Sequence, residues 1–192
     1  MRMESDAAQR RDAVLNRQAV IDAAAALLPA DPDAGMQEIA DAAGLGRSTV
    51  YRHFSSREEL FDAVAADVIG RGIAEVEEIL AKADGVEDAL CAIGELGIEF
   101  GLRYRFLYSH REEARAAVMR MTGDRGAPLW DFLNAAQERG EIRGDQPVAW
   151  IAKAQFEVMT AMIGDVLAGR IAREDAPELL GDTLVAMAIP SR

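Results

Sequence analysis

The chain has 192 residues, half of them hydrophobic and few aromatic, with a formal net charge of -12. It holds no apolar run of about 18 residues, so no membrane span is expected. Its single cysteine, Cys91, leaves no internal disulfide to form and fits a cytoplasmic protein. Alanine is abundant, proline is scarce and no alternating strand pattern persists, which makes an all-α fold the expectation.

The opening MRMESDAAQRRD is charged, lacks an apolar signal core and reads as a polar arm up to about Arg11. A first helix is expected over about 12–28, with Val14, Ile21, Ala24, Ala25 and Leu28 on its inner side. Residues 29–35, PADPDAG, form a turn-rich link. The next stretch, GMQEIADAAGLGRSTVYRHFSSREEL from Gly35 to Leu60, reads as a helix, a sharp turn, a second short helix and the start of another. Ile39, Ala40 and Ala43 give the first of these an apolar face, and the small Ala40 lets another helix cross closely. Gly44 stands where the chain must reverse, because glycine takes the left-handed C′ conformation at little cost. Leu45 plugs the corner, and Val50 and Phe54 face inward at four-residue spacing. This is a helix-turn-helix layout, in which the second helix enters the major groove of DNA. From Ala42 to Arg57 the chain carries Arg47, Arg52 and Arg57 and no carboxylate. In so acidic a protein, such a patch suggests a surface that meets something anionic.

Ser56 is placed to cap the next helix, with Glu58 and Glu59 in its first turn. That helix reaches about Lys82, with Leu60, Val64, Val68, Val76 and Ile79 inward, and Gly70 and Gly72 mark it as a lever with a soft point. Further helices are expected at about 86–109, 111–121, 128–139, 147–169 and 175–188. In the 147–169 helix only Lys153, Glu157 and Thr160 interrupt the apolar positions, so burial on most sides is expected. Part of that burial, together with Leu179, Leu180 and Leu184 of the last helix, is assigned to a second copy of the chain. Gly94, Gly97 and Gly101 share one face of the 86–109 helix. They mark either a close helix crossing or room for a ligand, with Gly97, Phe100, Tyr104, Trp130, Phe156 and Met159 as candidate walls. These walls suit an apolar molecule. A cationic one becomes the better match if Glu95, Glu99 or Glu157 faces the space.

The run IADAAGLGRSTVYRHFSSREEL resembles the DNA-binding signature of the TetR (tetracycline-repressor-like) family. The resemblance rests on Ile39-Ala40, Ala43-Gly44, Thr49, Tyr51, His53-Phe54 and Glu59-Leu60. The chain departs from that pattern at Gly35, where the family usually has Thr or Ser. It departs again at Gly44-Leu45-Gly46, where Gly-Val-Ser is usual, and at Arg57, where Lys is usual. The resemblance implies a homodimeric transcriptional regulator that binds a palindromic operator, with a small effector releasing it. It divides the chain into a DNA-binding domain at 1–56, with the motif at about 35–54 and continuing into the linking helix that follows, and an effector-binding and dimerisation domain at 57–192.

Arg47 opens the second motif helix, where its fork can reach guanine O6 and N7. Ser48 and Thr49 carry short hydroxyls suited to phosphate or to capping. Arg57 lies in the first turn of its helix, where the dipole already favours an anion, and is expected to clamp a phosphate. The resemblance adds Gln37 as a base contact and Tyr51 and His53 as phosphate contacts. No catalytic residue, cofactor or metal is expected: His53 and His110 are the only histidines, and no HExxH or GxxxxGK run occurs. The alternatives are a DNA-binding protein without an effector, of architectural or cell-division type, and a helical adaptor that does not bind DNA.

Overall fold

The computed structural model describes residues 2–109 and 127–190. The helix expected at 111–121, with Arg111, Arg115, Met119 and Arg120, lies outside the described residues. Among those described there are nine helices and no strand. They are α1 Arg2–Leu27, α2 Met36–Ala42, α3 Arg47–His53, α4 Arg57–Lys82, α5 Val86–Arg103, α6 Phe106–Ser109, α7 Ala127–Glu138, α8 Val148–Leu167 and α9 Ala176–Ala188. None is long and apolar enough to cross a membrane.

The chain divides into two compact units. One comprises Met1–Ile69 and Phe106–Ala117, the other Gly70–Arg105 and Val118–Arg192. The border therefore falls inside α4, at Gly70. The physical reason is burial: Leu60, Phe61, Val64, Ala65, Val68 and Ile69 of α4 all belong to the core of the first unit.

That core is completed by Val20, Ile21 and Ala24 of α1, Leu28 just after it, Ile39 and Ala40 of α2, Val50 of α3, and Phe54. Phe61 meets Phe106 edge to face at 5.6 Å. The expected polar arm is instead the start of α1, which begins at Arg2. No glycine or proline precedes Pro29, so nothing in the first 28 residues breaks the helix. Val14, expected inside, is 68% exposed.

In the second unit α5 packs along α9 and against α8, and α7 and α9 both pack on α8. The glycine face of α5 is a close crossing. A Cβ at Gly94 would stand 3.0 Å from the backbone nitrogen of Gly181, and one at Gly181 would stand 3.4 Å from Cys91 Sγ. A Cβ at Gly97 would collide with Met159 Sδ, and one at Gly101 with the side chain of Ile163. The space beside Gly97 is thus already filled. Gly72 of α4 has a packing reason as well, since its Cβ would lie 2.9 Å from the ring of Phe100. Gln155 is fully buried and donates to the carbonyl of Leu184 at 2.9 Å, which ties α8 to α9.

The helix expected over 86–109 is two helices. It stops at Tyr104, with φ -106° and ψ 40°, and resumes as α6. The interruption falls where the chain passes from the second unit to the first. The 140–147 loop is held firmly. Gln137 donates to the carbonyls of Arg143 (2.7 Å) and Gln146 (2.9 Å), and the backbone N–H of Arg143 donates to Ala188 (2.8 Å). Trp150, Phe156 and Leu167 of α8 and Leu179 of α9 are exposed.

Candidate nucleic-acid interface

The motif is built by local rules. Gly44 has φ +67°; its N–H donates to Asp41 (3.1 Å), and the N–H of Leu45 donates to Ala40 (3.0 Å). These paired bonds close the end of α2 as a Schellman motif and turn the chain into α3. Gly35 offers no side-chain cap, but Glu38 accepts its N–H at 2.7 Å, so the return half of a capping box survives. Ser56 Oγ accepts the N–H of Glu59 at 3.1 Å and caps α4 as expected. Glu59 in turn accepts both the N–H and the hydroxyl of Ser55 at 2.7 Å, and these bonds hold its carboxyl below the ordinary value.

Of the residues in α3, only Val50 is buried. Arg47, Ser48, Tyr51 and Arg52 are exposed and Thr49 is half-buried, on a helix without a carboxylate. The guanidinium of Arg47 lies over the ring of Tyr51, 5.3 Å from its centroid. Gln37 is exposed on α2, and its amide donates to Asp41 at 2.8 Å. Arg52 received no role from the sequence, although it lies in the same carboxylate-free patch. Arg17 of α1 sits over the ring of Phe54 at 4.9 Å.

Two of the expected phosphate contacts also make contacts within the unit. Arg57 donates from Nε to the carbonyl of Ala34 (3.2 Å) and from Nη2 to that of Pro32, so its fork braces the α1–α2 loop. A carbonyl pair 23 and 25 residues upstream leaves no local signal in the sequence. His53 is half-buried, and its Nε2 is buried without a hydrogen-bond partner among the described residues. Burial, then the charges of Arg52 and Arg17, push the imidazole below its ordinary 6.5.

The candidate walls of a ligand space lie in the second unit and are only partly brought together. Gly97 meets Met159, and Phe100 and Tyr104 pack with ring centroids 4.8 Å apart. Trp130 is half-buried, and its Nε1 is buried without a partner among the described residues. Phe156 does not join them: it is 40% exposed, at the edge of the face that carries the buried Ile163 two turns on. A separate cleft of about 440 Å³ is lined by Glu99, Leu102, Arg103 and Arg173, which makes it polar.

A glycine-closed helix pair presenting an arginine-bearing, carboxylate-free helix defines a DNA-binding regulator of the helix-turn-helix class. Residues 20–64 match the family model for bacterial regulatory proteins of the tetR family. The chain is 30% identical over 162 residues to the HTH-type transcriptional repressor LfrR of Mycolicibacterium smegmatis, a match spanning 83% of this chain and 80% of that protein. The chain belongs to the tetR family and is a DNA-binding transcriptional regulator, not an enzyme. The structure of LfrR from Mycobacterium smegmatis in complex with proflavine superimposes with a TM-score of 0.64 at 25% identity, covering 92% of this chain and 99% of that one. RolR in complex with resorcinol gives 0.73 at 20% identity, covering 94% and 91%, and shares the fold.

Proposed function

We propose that this regulator is a homodimeric repressor that holds a palindromic operator through α3 and is released by a flat, largely apolar aromatic molecule bound in its second unit. The observation that carries the DNA reading is α3 itself, which buries Val50 alone and turns Arg47, Ser48, Tyr51 and Arg52 to solvent. Arg47 reads a guanine edge, with Gln37 adding a base contact from α2. Ser48, Thr49 and the Tyr51 hydroxyl hold phosphates, and Arg57 supports them indirectly by fixing the loop that leads into α2. The exposed apolar side chains of α8 and α9 support pairing of two copies there, which sets two recognition helices on two half-sites.

The effector reading rests on the likeness to LfrR, whose structure holds proflavine, and on wall composition. Phe100, Tyr104 and Trp130 offer aromatic faces. Met159, being unbranched and adaptable, is the side chain that would vacate the space beside Gly97.

The test is binding to duplex DNA from the region upstream of the protein's own gene. If a dimer neutralises roughly 6–10 phosphates, affinity falls by about 10³–10⁵ between 50 and 200 mM salt. A nearly flat salt dependence would sink the DNA assignment. Neutral flat aromatics should raise the melting temperature of the wild type and release the DNA, with proflavine as the cationic comparison, and anionic aromatics should do neither. Gly97→Leu, which occupies the space Met159 must leave, should abolish both effects.

A further inference from the structure

The aromatic ring of Tyr51 has a task that its hydroxyl does not explain. Arg47 is the first residue of α3 and Tyr51 lies one turn on, so the two side chains share a helix face. Both are exposed, and the guanidinium carbon lies 5.3 Å from the ring centroid. Among the described residues nothing else holds Arg47: no hydrogen bond or ion pair reaches it, and no carboxylate lies between Ala42 and Arg57 to draw it aside. A planar guanidinium stacks on a ring face with its edge donors still directed outward, whereas a lysine ammonium has no plane to align.

We propose that the Tyr51 ring is a specificity-determining platform that sets the Arg47 fork in the plane needed to read a base edge. This rests on the reading of Arg47 as the base contact. Restricting the fork before DNA arrives lowers the ordering cost of the bidentate contact. The gain therefore falls on the one base pair that accepts both donors. A phosphate contact by the Tyr51 hydroxyl favours every sequence equally. The two roles of one side chain separate by chemistry: the ring serves discrimination and the hydroxyl serves general affinity. Tyr51 is a positioning residue here, acting through Arg47.

The experiment selects duplexes from a library with randomised half-sites on the wild-type protein, then measures competitive binding of the single-base variants. Arg47→Ala should lose about 5- to 150-fold discrimination at one base pair per half-site. Tyr51→Leu should lose about 2- to 5-fold at that same pair, the worth of an exposed cation–π contact. It should lose nothing there once Arg47 is already alanine. Tyr51→Phe should keep the discrimination while weakening all sequences alike, and Tyr51→Trp should keep or sharpen it. Uniform weakening by Leu and Phe alike, with base preference unchanged, would overturn the platform and leave Arg47 as the reader. An unchanged preference profile in Arg47→Ala would overturn both. Tyr51 is exposed, so all three variants should melt with the wild type, and the profile is read only from folded protein.

Discussion

The turn of the first unit and the helix crossing of the second use glycine for opposite purposes. Gly44 has open space where its Cβ would stand, and its left-handed φ of +67° is what the turn between α2 and α3 requires. Gly94, Gly97, Gly101 and Gly181 have no such φ, but each meets a helix or side chain too close for a Cβ to fit comfortably. The first kind of glycine answers to its immediate neighbours in the chain. The second answers to residues 62 to 90 positions away, such as Met159 and Ile163 for α5 and Cys91 for Gly181. The turn between α2 and α3 is therefore specified locally and the crossing of α5 with α8 and α9 by long-range fit.

The largest expected effect comes from forcing that fit. Gly94→Val places branched methyl groups against the backbone of Gly181, which cannot rotate away, and should destabilise the second unit by about 3 kcal/mol. Both tryptophans, Trp130 and Trp150, lie in that unit, so their emission during chemical denaturation measures it directly. Gly44→Ala should cost less, roughly 1–2 kcal/mol, since only a left-handed backbone penalty is involved. It should appear as faster hydrogen exchange in α2 and α3, with the tryptophan transition little changed. Gly44→Asn should recover part of the loss. If Gly44→Ala moved the tryptophan signal as far as Gly94→Val does, the division between local and long-range glycines would collapse.

A smaller effect sharpens the same contrast through pH. Folding lowers the pKa of His53, so the unfolded chain takes up a proton that the folded imidazole resists. Stability of the first unit should therefore fall as pH drops through 6.5, and the loss should level off below the folded pKa. Hydrogen exchange around residues 47–54 between pH 7.5 and 5.5 measures it. His53→Gln should remove the His53 share of that slope. An unchanged slope would show that the buried imidazole is not its source.

The division also explains what could be read from the sequence. The helix-turn-helix, the Gly44 turn, the inward Val50 and Phe54 and the Ser56 cap each depend on residues within one or two turns, and each is visible as spacing. The bracing of the α1–α2 loop by Arg57 depends on carbonyls more than twenty residues away, and the sequence around Arg57 suggested only a phosphate contact. Nothing in the run GLRYRFLY, residues 101–108, announces the break at Tyr104, because it contains no proline and no glycine after its first residue. Gly97 looked like room because its occupant, Met159, comes from a helix 62 residues on. The apolar texture of the 147–169 helix was plain, but not where its packed face ends, which leaves Phe156 exposed while Ile163, two turns on, is buried.

The crossing of α5 and α9 has one practical consequence. The protein's sole thiol, Cys91, sits at that crossing, facing Gly181. Partial burial, then the carboxylates of Asp182, Glu87, Glu95 and Asp88, push its pKa up, so little thiolate exists at neutral pH. Alkylation should then be slow in the native state and quicken when the two helices separate. With no other cysteine to compete, the rate of labelling becomes an internal clock for local opening at that seam, readable by mass on the unmodified natural sequence.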